Sequence, residues 1–170
     1  MPTYDEAMIQ SAAELYVHAI AMEREAAERY AEFSGRMADE GNDEVAALFG
    51  RLARLEAGHL EALRRRTEGV ALPPLESDYS WIDTGAPETL AHDLVFRLMT
   101  PHQALGIALR AEKRARAFFE QARRVADDPA LRALAQEMAA EEAEHIAMLE
   151  ALLARTPDSV IDWASMYEPR

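Results

Sequence analysis

Two histidines in this sequence carry a glutamate three residues before them: Glu56 before His59 and Glu142 before His145. Residues i and i+3 lie on one helix face, so each pair can grip a cation from the same side. A further glutamate stands 33 residues before the first pair (Glu23) and 30 before the second (Glu112). An aromatic residue follows each of these at seven residues, Tyr30 and Phe119, two helical turns along the same face. A lone Glu-x-x-His is a weak signal in an acidic chain. The four-element pattern in duplicate is a much stronger one.

The neighbours of these residues are apolar. Glu23 shares its face with Tyr16, Ala19, Ile20, Ala26 and Ala27, and Glu112 with Leu105, Ala108, Leu109 and Phe119. His59 is bracketed by Leu55 and Leu63, and His145 by Met138, Met148 and Leu149. Four carboxylates are therefore expected in a core, where an unpaired ionised carboxylate is very costly. Two divalent cations would neutralise them, and two neutral imidazoles would complete the set. Oxygen-rich ligation with one histidine per metal suits iron or manganese better than a structural zinc site. The bland alternative, an acidic bundle whose histidines are satisfied core residues, leaves the buried carboxylates unexplained. Tyr30 could reach a metal-bound carboxylate across the bundle with its hydroxyl, a role Phe119 cannot share.

These residues need helices to place them. A region rich in Ala, Glu, Leu and Arg runs from about Tyr4 to Arg66, with breaks at Gly35 and at Gly41-Asn42-Asp43. It reads as two helices, the second capped by Asn42 or Asp43. A second such region runs from about Pro101 to Arg155 and breaks at Val125-Ala126-Asp127. Thr100-Pro101 and Asp128-Pro129 each set a capping oxygen before a proline at the first helical position. Leu48, Leu52, Leu55, His59 and Leu63 recur at helical spacing, as do Leu131, Leu134, Met138, Met148 and Leu152.

Between the two regions lie Pro73-Pro74, Pro87, Gly69, Gly85, Tyr79 and Trp81. This stretch reads as an ordered crossover packed on the bundle, with a short helix from Asp93 to Met99. A turn of helix is expected in the tail, around Val160 to Tyr167. The fold predicted is all-α: a ferritin-like four-helix bundle of two helical hairpins joined by a long crossover. The hairpins span about 4–68 and about 101–155, the crossover about 69–100 and the tail 156–170, in one domain of 170 residues.

Composition excludes several functions. A formal charge of −13 repels phosphate backbones, which argues against a nucleic-acid partner. With no cysteine, the chain can form no disulfide, thiolate zinc site or cysteine-bound iron–sulfur centre. The sequence shows no signal peptide and no run long enough to cross a membrane, so a cytoplasmic location is expected. His18, His92 and His102 fall outside the duplicated pattern and are expected to be structural or solvent-facing. Trp81 and Trp163 are expected to pack, and Arg64-Arg65-Arg66 suits the negative end of a helix dipole.

The stretches AMEREAAERYAEFS, LFGRLARLEAGHLEAL, ALRAEKRARAFFEQA and LAQEMAAEEAEHIAML resemble the four helices of rubrerythrin-like members of the ferritin-like diiron-carboxylate superfamily. The resemblance implies six metal ligands: Glu23, Glu56, His59, Glu112, Glu142 and His145. Glu56 and Glu142 would bridge the metals, and Glu23 and Glu112 would be terminal. It implies two iron ions as the cofactor, with manganese or zinc as substitutes in a purified sample. Reduction of peroxide or dioxygen is the implied chemistry, and a homodimer the implied assembly. Some members of the family oxidise ferrous iron, so a ferroxidase or iron-storage protein is the alternative, beside a metal-stabilised structural module. The chain departs from the family in three places. Ala115 stands where rubrerythrins carry a further glutamate, the crossover is longer, and the absence of cysteine removes the rubredoxin domain, so a separate electron-donor protein would be required. Ala57 stands where related bacterioferritins carry the haem-binding methionine, so no haem is expected.

Overall fold

Ser11 opens the first helix by accepting a hydrogen bond from the Glu14 backbone N–H at 3.2 Å. The computed structural model describes residues 11–74 and 99–158. Helix α1 spans Ala12–Asp39, α2 Asp43–Arg66, α3 Pro101–Val125 and α4 Pro129–Leu153. Asn42, rather than Asp43, caps α2 through its side-chain oxygen, 3.1 Å from the Val45 N–H. Thr100 and Gln103 form a reciprocal capping box at the start of α3, and Asp128 caps α4. Each cap satisfies a donor that the first helical turn would otherwise leave unpaired.

Gly35 does not break the first region. Helix α1 runs through it to Asp39, and the turn falls at Gly41, whose φ is 76°. An interior glycine costs a helix about 1 kcal/mol, which a long helix packed along one face absorbs. A left-handed residue, by contrast, cannot continue a right-handed helix. The expected start near Tyr4 lies outside the described residues, and so do the tail helix and all but the end of the expected Asp93–Met99 helix. Met99 itself is not helical, and its side chain is buried against the bundle.

The bundle is all-α, with no strand among the described residues. Helix α1 packs closely along α2, and α3 along α4, while backbones of different hairpins approach each other at few places. Ion pairs between the hairpins show how α2 lies against α4. Arg66, at the end of α2, forks onto Glu137 with contacts of 2.6 and 3.0 Å. Arg155, just past α4, reaches Glu44 at the start of α2 at 2.7 Å. The two helices therefore run antiparallel. Such exposed pairs contribute at most about 1 kcal/mol each, so their value here is geometric.

The apolar core is split in two. One cluster includes Tyr30, Phe33, Phe49, Leu52, Leu105 and Leu149. The other includes Leu15, Met22, Leu63, Phe119, Leu134 and Met138. On every helix a glutamate lies between the two clusters: Glu23, Glu56, Glu112 or Glu142. All four are buried. The wider spacing between hairpins is what these long side chains fill. No described helix is long and apolar enough to cross a membrane.

The two glycines make opposite predictions. Gly35 has right-handed helical backbone and open space around a built Cβ, so Gly35→Ala should stabilise the protein by about 0.5–1 kcal/mol. Gly41 also has open space but a positive φ, so Gly41→Ala should destabilise by about 1–2 kcal/mol. Urea denaturation midpoints check both. A stabilising Gly41→Ala would contradict the placement of the turn.

Candidate metal centre

Six side chains converge between the two apolar clusters. Glu23 comes from α1, Glu56 and His59 from α2, Glu112 from α3, and Glu142 and His145 from α4. Helical spacing brings each Glu-x-x-His pair together, and the bundle brings the pairs face to face. The His59 and His145 rings stack with centroids 5.4 Å apart and planes 11° from parallel.

Glu56 sits between the histidines. Its Oε1 lies 2.8 Å from His145 Nδ1, and its Oε2 lies 3.6 Å from His59 Nδ1. On the His145 side, Nδ1 also stands 3.4 Å from Glu112 Oε2 and 3.7 Å from Glu142 Oε2. On the His59 side, Nδ1 stands 3.7 Å from Glu23 Oε2 and 3.5 Å from Glu141 Oε2. Most of these separations are too long for hydrogen bonds. Two ligands each ~2.1 Å from a shared ion, at angles of roughly 90–120°, would lie roughly 3.0–3.6 Å apart, and most of the observed spacings fall in or just beyond that range.

The polar atoms make the same point. Both Glu23 oxygens, Glu56 Oε2, Glu112 Oε2 and His59 Nδ1 are buried without a hydrogen-bond partner among the described residues. Buried polar groups are normally paired, so a group of them aimed at common points marks missing partners. Two divalent cations bring four positive charges to the four carboxylates of the expected set. The donor set thus fits a pair of metal ions, and His/carboxylate chemistry suits first-row transition metals.

Burial and mutual charge pull the groups of the centre in opposite directions. Burial, with the Glu56 charge beside it, raises the Glu23 carboxyl well above the usual range. Burial next to Glu112 does the same to Glu142. For Glu56, burial opposes ionisation, but its interactions with Glu23 and the two histidines outweigh that and hold it well below the usual range. His59 is pushed up to about 10, chiefly by Glu23 and Glu56. Burial works against a charged His145, yet Glu112, Glu142 and Glu56 overcome it and raise its pKa too.

The profile of the rubrerythrin family matches residues 14–78. A crystal structure of an uncharacterized conserved protein from Magnetospirillum magnetotacticum MS-1 superposes with a TM-score of 0.79 at 34% sequence identity. That match covers 89% of this chain and 99% of the other. The chain belongs to the rubrerythrin family. No protein of curated function matches it. In this rubrerythrin-family chain, the buried Glu/His cluster has the donor set of a metal-binding site.

The structure brings all six expected residues to one place, though at unequal depth. The side chains of Glu23, Glu56, Glu112, Glu142 and His145 are at most 5% exposed, whereas His59 is 23% exposed. On α2 the deepest line runs through Val45, Phe49, Leu52 and Glu56, and Leu48, Leu55 and His59 border it. The Tyr30 hydroxyl donates to Glu112 Oε1 across the bundle. Burial and the Glu112 charge raise its pKa well above normal, which keeps the proton on the donor. Phe119, at the matching place, packs in the second apolar cluster and leaves Glu23 without such a donor.

Glu141 was not among the expected residues. Its signal in the sequence is a break in the duplication: it precedes Glu142 as Leu55 precedes Glu56. His18 packs against Phe118, 5.8 Å between ring centroids, and burial lowers its pKa. His102 Nδ1 lies 2.9 Å from the Thr156 carbonyl, tying the start of α3 to the end of the hairpin. His92, Trp81 and Trp163 lie outside the described residues. A cavity of about 10 Å³, room for one water-sized molecule, opens beside the carboxylates and is walled by Met22, Ala26, Tyr30, Ala111 and Ala115.

Two outcomes follow. The His59 imidazole, pushed up to about 10 chiefly by Glu23 and Glu56, carries a proton at neutral pH, and a divalent cation bound at its nitrogen must release it. Affinity should therefore rise from about pH 6 to about pH 8, and calorimetry in buffers of different ionisation enthalpy should count the protons released; an affinity independent of pH would contradict this. Separately, Tyr30→Phe leaves Glu112 Oε1 without its donor. It should destabilise the metal-free protein by about 1–3 kcal/mol in urea denaturation, more than the loss of an exposed hydroxyl would.

Proposed function

We propose that this chain is a non-haem diiron-carboxylate oxidoreductase that reduces peroxide or dioxygen. The observation that carries the reading is the convergence of Glu23, Glu56, His59, Glu112, Glu142 and His145, with so many of their buried donor atoms unpartnered. These six side chains would hold the two irons. Two ferrous ions, when bound, would supply the two electrons that, with two protons taken from solvent, reduce one hydrogen peroxide to two waters.

The protein's own groups have defined tasks. Glu56, with one oxygen toward each histidine, would tie the two metal positions together. Tyr30 holds the Glu112 carboxylate in place from across the bundle. The small cavity walled by Met22, Ala26 and Ala115 lies against the carboxylates, where a small molecule would meet the centre. With no cysteine in the chain, electrons would return to the centre from a separate donor protein.

Anaerobic loading with ferrous iron should give two irons per chain. Peroxide should then produce near-ultraviolet ferric absorbance far faster than the same iron in buffer. Two irons that neither peroxide nor dioxygen oxidises quickly would sink the reductase reading. Uptake of many irons per chain would point to storage instead. The double variant Glu56→Ala, Glu142→Ala should lose the metal, and full retention would overturn the ligand assignment.

A further inference from the structure

Glu141 stands beside the six expected residues and points where none of them does. Adjacent helical residues diverge by about 100°, so when Glu142 turns into the bundle toward Glu112 and His145, Glu141 turns toward α2. One turn earlier on the same flank, Glu137 meets Arg66 of α2. Glu141 meets His59, its Oε2 3.5 Å from Nδ1.

This carboxylate does not behave like a solvated surface acid. Its side chain is 27% exposed, yet Oε2 is buried and has no hydrogen-bond partner among the described residues. The same point in space is faced by Glu23, which is 2% exposed and has both oxygens unpartnered. Glu23, His59 and Glu141 each offer a donor atom, and the three atoms lie within 4.8 Å of one another. Glu142 groups instead with Glu56, Glu112 and His145. The two ends of the centre thus draw on different carboxylates of α4.

We propose that Glu141 is a further metal ligand, completing with Glu23, His59 and the shared Glu56 an outer position for a divalent transition-metal ion. The inference rests on the two-metal reading above. It makes the two positions unequal. The inner one is enclosed by Glu56, Glu112, Glu142 and His145. The outer one has two partly exposed ligands, His59 and Glu141, and is the one that loads and exchanges.

Anaerobic calorimetric titration of the full chain with manganese(II) and with ferrous iron tests this. Wild type should bind two ions. Glu141→Gln keeps size and helix while removing the charge, and should weaken one of the two sites about 10–100-fold, leaving the other intact. Glu137→Gln removes a charge one turn away and should leave both affinities as in wild type, with circular dichroism confirming the fold of each variant. Two wild-type-like sites in Glu141→Gln would overturn the proposal while the six-residue centre stands. Equal weakening of both sites, or the same weakening in Glu137→Gln, would also overturn it, since either outcome marks a general charge effect. Wild-type protein that binds no ion would remove the two-metal reading and this inference together.

Discussion

Four carboxylates buried across the middle of the bundle are the constraint to which the rest of the structure answers. An isolated charge in such a place costs far more than any single packing contact returns. The chain meets that cost by gathering the carboxylates into one layer with two imidazoles. It does not scatter them. Apolar clusters then lie on either side of the layer, each built from all four helices. The hairpins hold their own helices tightly and stand apart from each other, because the layer needs the length of glutamate side chains between them. Within the layer the carboxylates are not equivalent: burial raises Glu23, while its neighbours hold Glu56 low.

Much of this was legible in the sequence. Glutamates embedded in apolar stripes, two Glu-x-x-His pairs and the proline-led helix starts named the fold and the layer together. What escaped had physical reasons. Gly35 looked like a break because glycine is a poor helix former, but a propensity of about 1 kcal/mol yields to the packing of a whole face. His59 looked central because Leu55 and Leu63 bracket it, while the deepest line of α2 passes through Glu56. Glu141 was hidden because its neighbour Glu142 already filled the motif, and direction around a helix is not spacing along it. The contact from Tyr30 to Glu112 crosses between hairpins, and sequence spacing within one helix could suggest its reach without fixing its partner.

The duplicated pattern also shows where the two halves diverge. Tyr30 answers to Phe119, so Glu112 receives a hydroxyl donor and Glu23 does not. Leu55 answers to Glu141, so one half presents an apolar flank and the other a carboxylate. Each change alone is modest. Together they give the His145 side an enclosed set of donors, one held by a hydroxyl, and leave the His59 side with two partly exposed groups, His59 and Glu141. A centre whose two positions differ in rigidity can hold one ion firmly while the other adjusts its ligands.

Ala115 belongs to the same logic. It stands three residues after Glu112, as Ala26 stands three after Glu23, and both methyl groups wall the small cavity against the carboxylates. A carboxylate at 115 would fill that space and add a negative charge to a layer that already has to neutralise four. With alanine there, the added acid is found on the opposite flank, at Glu141, where part of it meets solvent and its charge costs less. The side of the centre beside Glu23 and Glu112 is thus lined by small methyl groups, and the extra carboxylate stands beside His59.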